Sequence, residues 1–134
     1  MSALVVDCSV TAAWLLAEDN RAERLVAAHV AAGLHAPAQW QLEMANMLLT
    51  ALRRKRLDAA RVNEALRLVN QLPVQVEAAT PALDTAFSLG RQYGLTAYDA
   101  AYLELALRRH LPLATFDEPL AKAARKAGAK VLNA

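Results

Sequence analysis

Four acidic residues in this chain, each ordinary alone, together could gather into a charged site. Asp7 ends the apolar run Leu4-Val5-Val6 and is followed by Cys8-Ser9, while Asp117 ends the stretch "LPLATF" and precedes Glu118-Pro119-Leu120. Asp99 lies in "LTAYDAAYLELALRR" and Glu43 in "QLEMANMLLTALRRKR". Each has an ordinary alternative. Asp7 or Ser9 can cap a helix beginning near Val10, and Asp117 can cap the last helix, with Pro119 in its first turn. Asp99 can form a capping-box-like pair with Thr96. Glu43 can be a favourable charge near a helix N-terminus on a solvated face.

The surroundings of these acids add a second reading. On a helical wheel Asp99 falls beside Leu103 and Ala106, with Tyr102 on the near flank and Glu104 and Arg108 opposite. Glu43 heads a polar stripe of Asn46, Thr50 and Arg54, set against an apolar face of Leu42, Ala45, Leu48, Leu49 and Leu52. Four carboxylates gathered at one place repel one another, and burial raises their pKa values. A hard divalent cation, Mg²⁺ or Mn²⁺, removes that penalty. Zinc is not indicated, since His29, His35 and His110 are scattered and Cys8 is the single cysteine. Ser9 has no neighbouring general base, so it is a partner for an acid or a water rather than a nucleophile.

The elements that must position these residues alternate. Strand-like runs cover Ala3–Asp7, Leu34–Ala36, Val74–Glu77, Pro112–Phe116 and Ala129–Leu132. Helix-period stretches cover Val10–Leu16, Arg21–Ala32, Ala38–Arg54, Ala59–Gln71, Pro81–Tyr93, Ala97–Arg109 and Glu118–Ala127. Gly33, Gly94 and Gly128 mark helix stops, and Pro37, Pro73 and Pro112 mark entries into the next segment. Continuously apolar strands alternating with helices predict a mainly parallel sheet covered on both faces. In such sheets a site forms beyond the carboxyl ends of the strands, where Asp7 and Asp117 fall.

Composition narrows the classes. The chain has 134 residues, 56% hydrophobic and 21% charged, which predicts one folded domain over residues 1–134 rather than a disordered tail. No apolar run approaches the roughly 20 residues of a membrane span, and the N-terminus lacks the pattern of an export signal. With one cysteine, a cytoplasmic location is expected. A net charge of +2 does not by itself imply a polyanion partner. The run Arg53, Arg54, Lys55 and Arg56 is either favourable charge at a helix C-terminus or a phosphate contact, with Arg54 in line with Glu43. Arg108, Arg109, Lys122, Arg125 and Lys126 are weaker candidates. Trp14 and Trp40 can stack on a base or pack in a core.

The segments "LVVDCSVTAAWLL", "APAQWQLEMANMLLTALRR" and "GLTAYDAAYLELALRRHLPLATFDEPLAKAARKAG", with the closing "AKVLNA", resemble the PIN-domain family. The resemblance is specifically to VapC-type toxins of toxin–antitoxin pairs. It implies a three-layer α/β/α sandwich with a mainly parallel central sheet, and a metal-dependent endoribonuclease. The family's acids match Asp7, Glu43, Asp99 and Asp117, which the resemblance makes both catalytic residues and ligands for Mg²⁺ or Mn²⁺. Ser9, Asn46 and Thr115 match polar positions that support the site, while Cys8 departs from the small or hydroxyl residue usual beside the first acid. Arg54 and Arg53 are the expected RNA contacts. The resemblance further implies an RNA substrate cut to leave a 5′-phosphate and a 3′-hydroxyl, a VapB-type antitoxin and a homodimer. Two alternatives stay open: a non-catalytic α/β interaction domain, and a PIN nuclease acting on other nucleic acid without an antitoxin. A receiver-type signalling domain fits less well, because "VVDCS" lacks its paired acids.

Overall fold

A computed structural model describes residues 2–133; Met1 and Ala134, the last residue of "AKVLNA", lie outside the described residues. The elements follow in the order β1 (Leu4–Val6), α1 (Cys8–Leu15), α2 (Asn20–His29), β2 (Leu34–Ala36), α3 (Trp40–Arg53), α4 (Ala59–Gln71), β3 (Val74–Val76), α5 (Leu83–Tyr93), α6 (Ala97–Arg109), β4 (Leu113–Ala114), α7 (Glu118–Lys126) and β5 (Val131–Leu132). All five expected strands are present, β2 with the expected bounds and the other four shorter than predicted, and all seven helices fall where the periodicity puts them. Among the described residues no helix is long and apolar enough to cross a membrane.

The five strands form one parallel sheet in the order β3-β2-β1-β4-β5. Helices cover both faces, giving the three-layer α/β/α sandwich. The sheet interior explains why β1 reads as an unbroken apolar run: Leu4, Val5 and Val6 are all 1% exposed or less. Leu4 and Val6 pack into one core with Val10, Leu25, Val26 and Leu34. Val5 points the other way, into a core with Trp40, Met44, Tyr102, Leu103 and Leu113. Each such burial contributes about 1.5–3 kcal/mol, so neither face of β1 tolerates a polar side chain cheaply. The first polar position on the strand is therefore its end, Asp7.

The strand order supplies the position of the site. Successive strands move from β1 out to β2 and β3, then return to the opposite side of β1 with β4. Loops leaving β1 and β4 therefore diverge to opposite faces and open a crevice at the carboxyl ends of these two strands. The Asp7 N–H donates to the Ala114 carbonyl oxygen at 2.9 Å, which fixes the end of β1 against the end of β4.

Two local expectations need correction. Helix α1 begins at Cys8 rather than Val10, because the Asp7 carbonyl already accepts from the Val10 and Thr11 N–H groups. On α3 the face turned to the core is Trp40, Met44, Leu48 and Ala51. Of the predicted apolar face only Leu48 is buried; Leu42 is 75% exposed, Leu49 44% and Leu52 38%, and Ala45 is exposed too. The helix carries more apolar arc than the core can use, and the large side chains decide its rotation. Trp40 is anchored by its Nε1–H, which donates to Thr11 Oγ1 at 3.0 Å.

One glycine has a packing reason. In the last turns of α5, a Cβ at Gly90 would stand 2.9 Å from the Leu95 carbonyl oxygen. The chain leaving α5 folds back closely there, with the Leu95 N–H donating to the Gly90 carbonyl, before α6 begins. That return fixes where the helix bearing Asp99 starts.

Candidate active site

Asp7 is the best-held of the four acids. It occupies the N-cap position of α1, but its side chain makes no capping bond. Its Oδ2 instead accepts from Ser9 Oγ at 2.6 Å and from Thr115 Oγ1 at 2.8 Å. Each hydroxyl accepts a backbone N–H in return: Phe116 N–H donates to Ser9 at 3.1 Å, and Asp117 N–H to Thr115 at 3.0 Å. With each hydroxyl proton committed to the carboxylate, Oδ2 is an acceptor only, and Oδ1 takes none of these bonds. The carboxylate is buried, 6% exposed, and burial raises its pKa, with Asp117 adding to the rise and the two hydroxyls opposing it.

Asp117 follows β4 and does cap α7, its Oδ2 accepting from the Leu120 N–H at 3.1 Å. Thr96 caps α6 through the Asp99 N–H at 3.2 Å, so the simple capping readings hold for the backbone at both positions. They do not exhaust the side chains. Burial, followed by the charges of Asp7 and then Asp117, lifts the Asp99 carboxyl to about 6.

Glu43, in the first turn of α3, is half-buried at the border of the core face rather than on a fully solvated one. Its Oε1 accepts from the Tyr102 hydroxyl at 2.6 Å. Burial raises its pKa, the Tyr102 bond opposes the rise, and Asp7 and Asp99 add to it. Like charges thus meet across the elements: Glu43 on α3 feels Asp7 and Asp99, Asp99 on α6 feels Asp7 and Asp117, and Asp7 at the end of β1 feels Asp117 beyond β4. None of the four takes part in an ion pair among the described residues.

This donor set fits a hard divalent cation in its chemistry: carboxylate oxygens only, like charges, burial, and no Lys or Arg to neutralise them. Among the described residues no three His, Cys, Asp or Glu side chains close on a common point as a ready-made cage. Mg²⁺ does not require one, because it usually keeps several waters and takes one or two carboxylates.

The other expected residues divide. Ser9 and Thr115 support Asp7 as described, and Thr115 is wholly buried. Asn46, one turn beyond Glu43, is exposed with no side-chain partner among the described residues. Arg53 and Arg54 are exposed at the far end of α3, with Arg54 roughly 16 Å along the axis from Glu43 at 1.5 Å per residue. Arg108 and Arg109 are committed to acids away from the site, pairing with Glu77 at 2.7 and 2.8 Å. Trp40 is buried, which removes it as a base-stacking side chain. Cys8 packs against Met44 with its thiol pushed up to about 12, by burial first and then by Asp7 and Glu43, so it stays protonated. Tyr102 is the residue whose contact with the acids the wheel did not reveal. Its place on the near flank of Asp99 was legible, but the reach of its hydroxyl to another helix was not.

Comparisons with known proteins bear on the family and the fold. The PIN domain family model matches residues 4–126. Ribonuclease VapC3 of Mycobacterium tuberculosis (strain CDC 1551 / Oshkosh) is 34% identical over 120 residues, spanning 90% of this chain and 86% of that protein. Ribonuclease VapC3 of Pyrobaculum aerophilum is 34% identical over 124 residues, spanning 89% and 92%. The crystal structure of PAE2754 from Pyrobaculum aerophilum superposes with a TM-score of 0.74 at 26% identity, over 98% of this chain and 90% of that one. FitAcB from Neisseria gonorrhoeae shares the fold, with a TM-score of 0.66 at 16% identity over 97% and 96%.

Proposed function

The chain belongs to the PIN-domain family, in its VapC-type branch, and on that premise we propose that it is the ribonuclease toxin of a toxin–antitoxin pair, cutting RNA with the help of Mg²⁺ or Mn²⁺. The observation that supports the metal dependence is a set of four acids without an ion-pair partner among the described residues, Asp7 and Asp117 following β1 and β4, and Glu43 and Asp99 in the first turns of α3 and α6. Asp7, Glu43, Asp99 and Asp117 hold the cation. When bound, it supplies Lewis acidity, neutralising charge on a phosphodiester and making a water a stronger acid. Ser9 and Thr115 hold Asp7 in place through Oδ2, so that neither hydroxyl occupies Oδ1. No side chain is assigned as a nucleophile, since Cys8 stays protonated and the Ser9 hydroxyl is committed to holding Asp7, at 2.6 Å from its Oδ2.

RNA needs a cationic approach to an acidic site. Lys122 and Lys126 lie on α7, the helix that Asp117 caps, and line a groove of about 290 Å³ with Tyr93 and Pro119. That groove, on the helix that Asp117 caps, supports an RNA path as an alternative to Arg53 and Arg54. The purified chain incubated with total RNA is expected to cut it when Mg²⁺ or Mn²⁺ is present and to stop with EDTA, with mapped ends carrying a 5′-phosphate and a 3′-hydroxyl. Equal cleavage in EDTA contradicts the metal-dependent reading, and cleavage of DNA alone favours the nuclease without an antitoxin.

A cognate antitoxin of the VapB type is part of the same proposal, as is a homodimer. The surface that suits the dimer is on α5, where no residue is fully buried, and at the start of α6. Leu83, Phe87 and Tyr98 are 85%, 66% and 65% exposed and line one groove of about 560 Å³. Contiguous apolar area of this kind marks an interface. Sedimentation of a Leu83→Ser/Phe87→Ser chain is expected to give a monomer where the unmodified chain gives a dimer. An unchanged dimer places the interface elsewhere.

A further inference from the structure

Tyr102, the buried one of the two tyrosines on α6, reaches the site from inside the core. Its ring is fully buried among Val5, Trp40, Met44, Leu103 and Leu105, and its hydroxyl meets Glu43 Oε1 at 2.6 Å. It stands three residues after Asp99 on the same helix face, so α6 carries one acid and the group that holds another. Among the described residues Glu43 has no other side-chain hydrogen bond, while Asp7 has two. A glutamate has three side-chain torsions, and ordering them on ligand binding costs conformational entropy. Tyr102 has its ring fixed by packing before any ligand arrives, so it can fix Glu43 in advance.

We propose that Tyr102 is the positioning residue of this site: its buried hydroxyl clamps Glu43 Oε1 on α3 to the helix that carries Asp99, so that two acids from separate elements are held as one preformed pair for a divalent cation. The proposal rests on reading the four acids as ligands. Outer partners that orient ligating side chains typically matter by 10- to 100-fold in metal affinity or activity. A purely structural tyrosine would hold the core through its ring and leave ion binding alone.

Isothermal titration with Mn²⁺, without RNA, separates these roles. Tyr102→Phe keeps the ring and its packing, and is expected to melt close to the unmodified chain while binding Mn²⁺ about 10-fold more weakly. Because Tyr102 acts through Glu43, the Glu43→Gln/Tyr102→Phe double variant is expected to bind no more weakly than Glu43→Gln alone. In cleavage assays the loss in Tyr102→Phe is restored by raising the Mn²⁺ concentration, with KM for RNA unchanged. Unchanged Mn²⁺ affinity in a folded Tyr102→Phe chain overturns the proposal, as does an additive loss in the double variant. Should Tyr102→Phe not fold, Glu43→Asp supplies the second test: the shortened acid keeps its charge but cannot meet the hydroxyl, and Mn²⁺ affinity equal to the unmodified chain again overturns the clamp. Asp7→Asn distinguishes the two levels. If it binds Mn²⁺ normally, the ligand reading itself fails; if it loses binding while Tyr102→Phe does not, only the clamp fails.

Discussion

Asp7→Asn lowers RNA cleavage by roughly 100- to 1,000-fold, the scale of losing one pre-organised electrostatic group, and leaves the chain folded. The geometry explains why the loss is chemical. Ser9 and Thr115 both donate to Oδ2, so an asparagine must present its carbonyl oxygen to them and its NH₂ where Oδ1 stood. The hydroxyl bonds survive, and with them the junction of β1 and β4, but the free acceptor becomes a donor that no cation can use. The substitution also removes a buried charge whose pKa is raised by burial and then by Asp117. Its melting temperature at pH 8 is therefore expected to rise by a few degrees. Initial rates on a mapped RNA, with melts followed by circular dichroism, check both halves. Full activity in a folded Asp7→Asn chain would falsify the assignment of Asp7.

The second large effect is on stability. The folded-state pKa values of Asp7, Glu43 and Asp99 all lie above their ordinary values, with Asp99 moved from 3.8 to about 6. The folded chain thus holds protons that the unfolded chain has released, and stability falls as pH rises from about 4 through about 6. This is the reverse of an ion-paired carboxylate. With metal removed, the melting temperature is expected to be higher at pH 5 than at pH 8, and Asp99→Asn is expected to flatten much of that difference. At pH 8 a saturating divalent cation restores the loss; at 100 times its dissociation constant it adds about 2.7 kcal/mol, roughly 10 °C for a chain of this size. Differential scanning calorimetry across pH, with and without Mg²⁺, reads both slopes. A melting temperature that is flat from pH 5 to pH 8 and unmoved by Mg²⁺ contradicts the idea of unrelieved carboxylate repulsion.

Much of this arrangement was legible from residue order. Apolar strands broken by acids, with helices between them, specify a parallel sheet and put Asp7 and Asp117 at its carboxyl edge. The Thr96–Asp99 spacing gave the start of α6, and the Asp117–Pro119 spacing gave the start of α7. What the pattern could not supply was choice between competing local solutions. Asp7 has the sequence context of a cap, yet its side chain turns to two hydroxyls, one of them 108 residues away. Helix α3 offers two apolar stripes, and periodicity cannot say which one the sheet will take. The answer came from Trp40 and Met44, through bonds to Thr11 on another helix. Tyr102 was hidden for the same reason: a hydroxyl's partner on a different element leaves no trace in the spacing of its own.

The bond between Thr115 and Asp7 also sets when the site can exist. A ribosome delivers Asp7 well before the hydroxyl that fixes it, which follows 108 residues later, and before the strand that pairs β1 on that side. Until β4 docks, β1 lacks its inner neighbour and the acids have no common edge on which to meet. Nascent chains cut short before Leu113 are therefore inert by construction. For a protein read as a toxin, the order of synthesis itself acts as a safety catch, released only when β4 folds home.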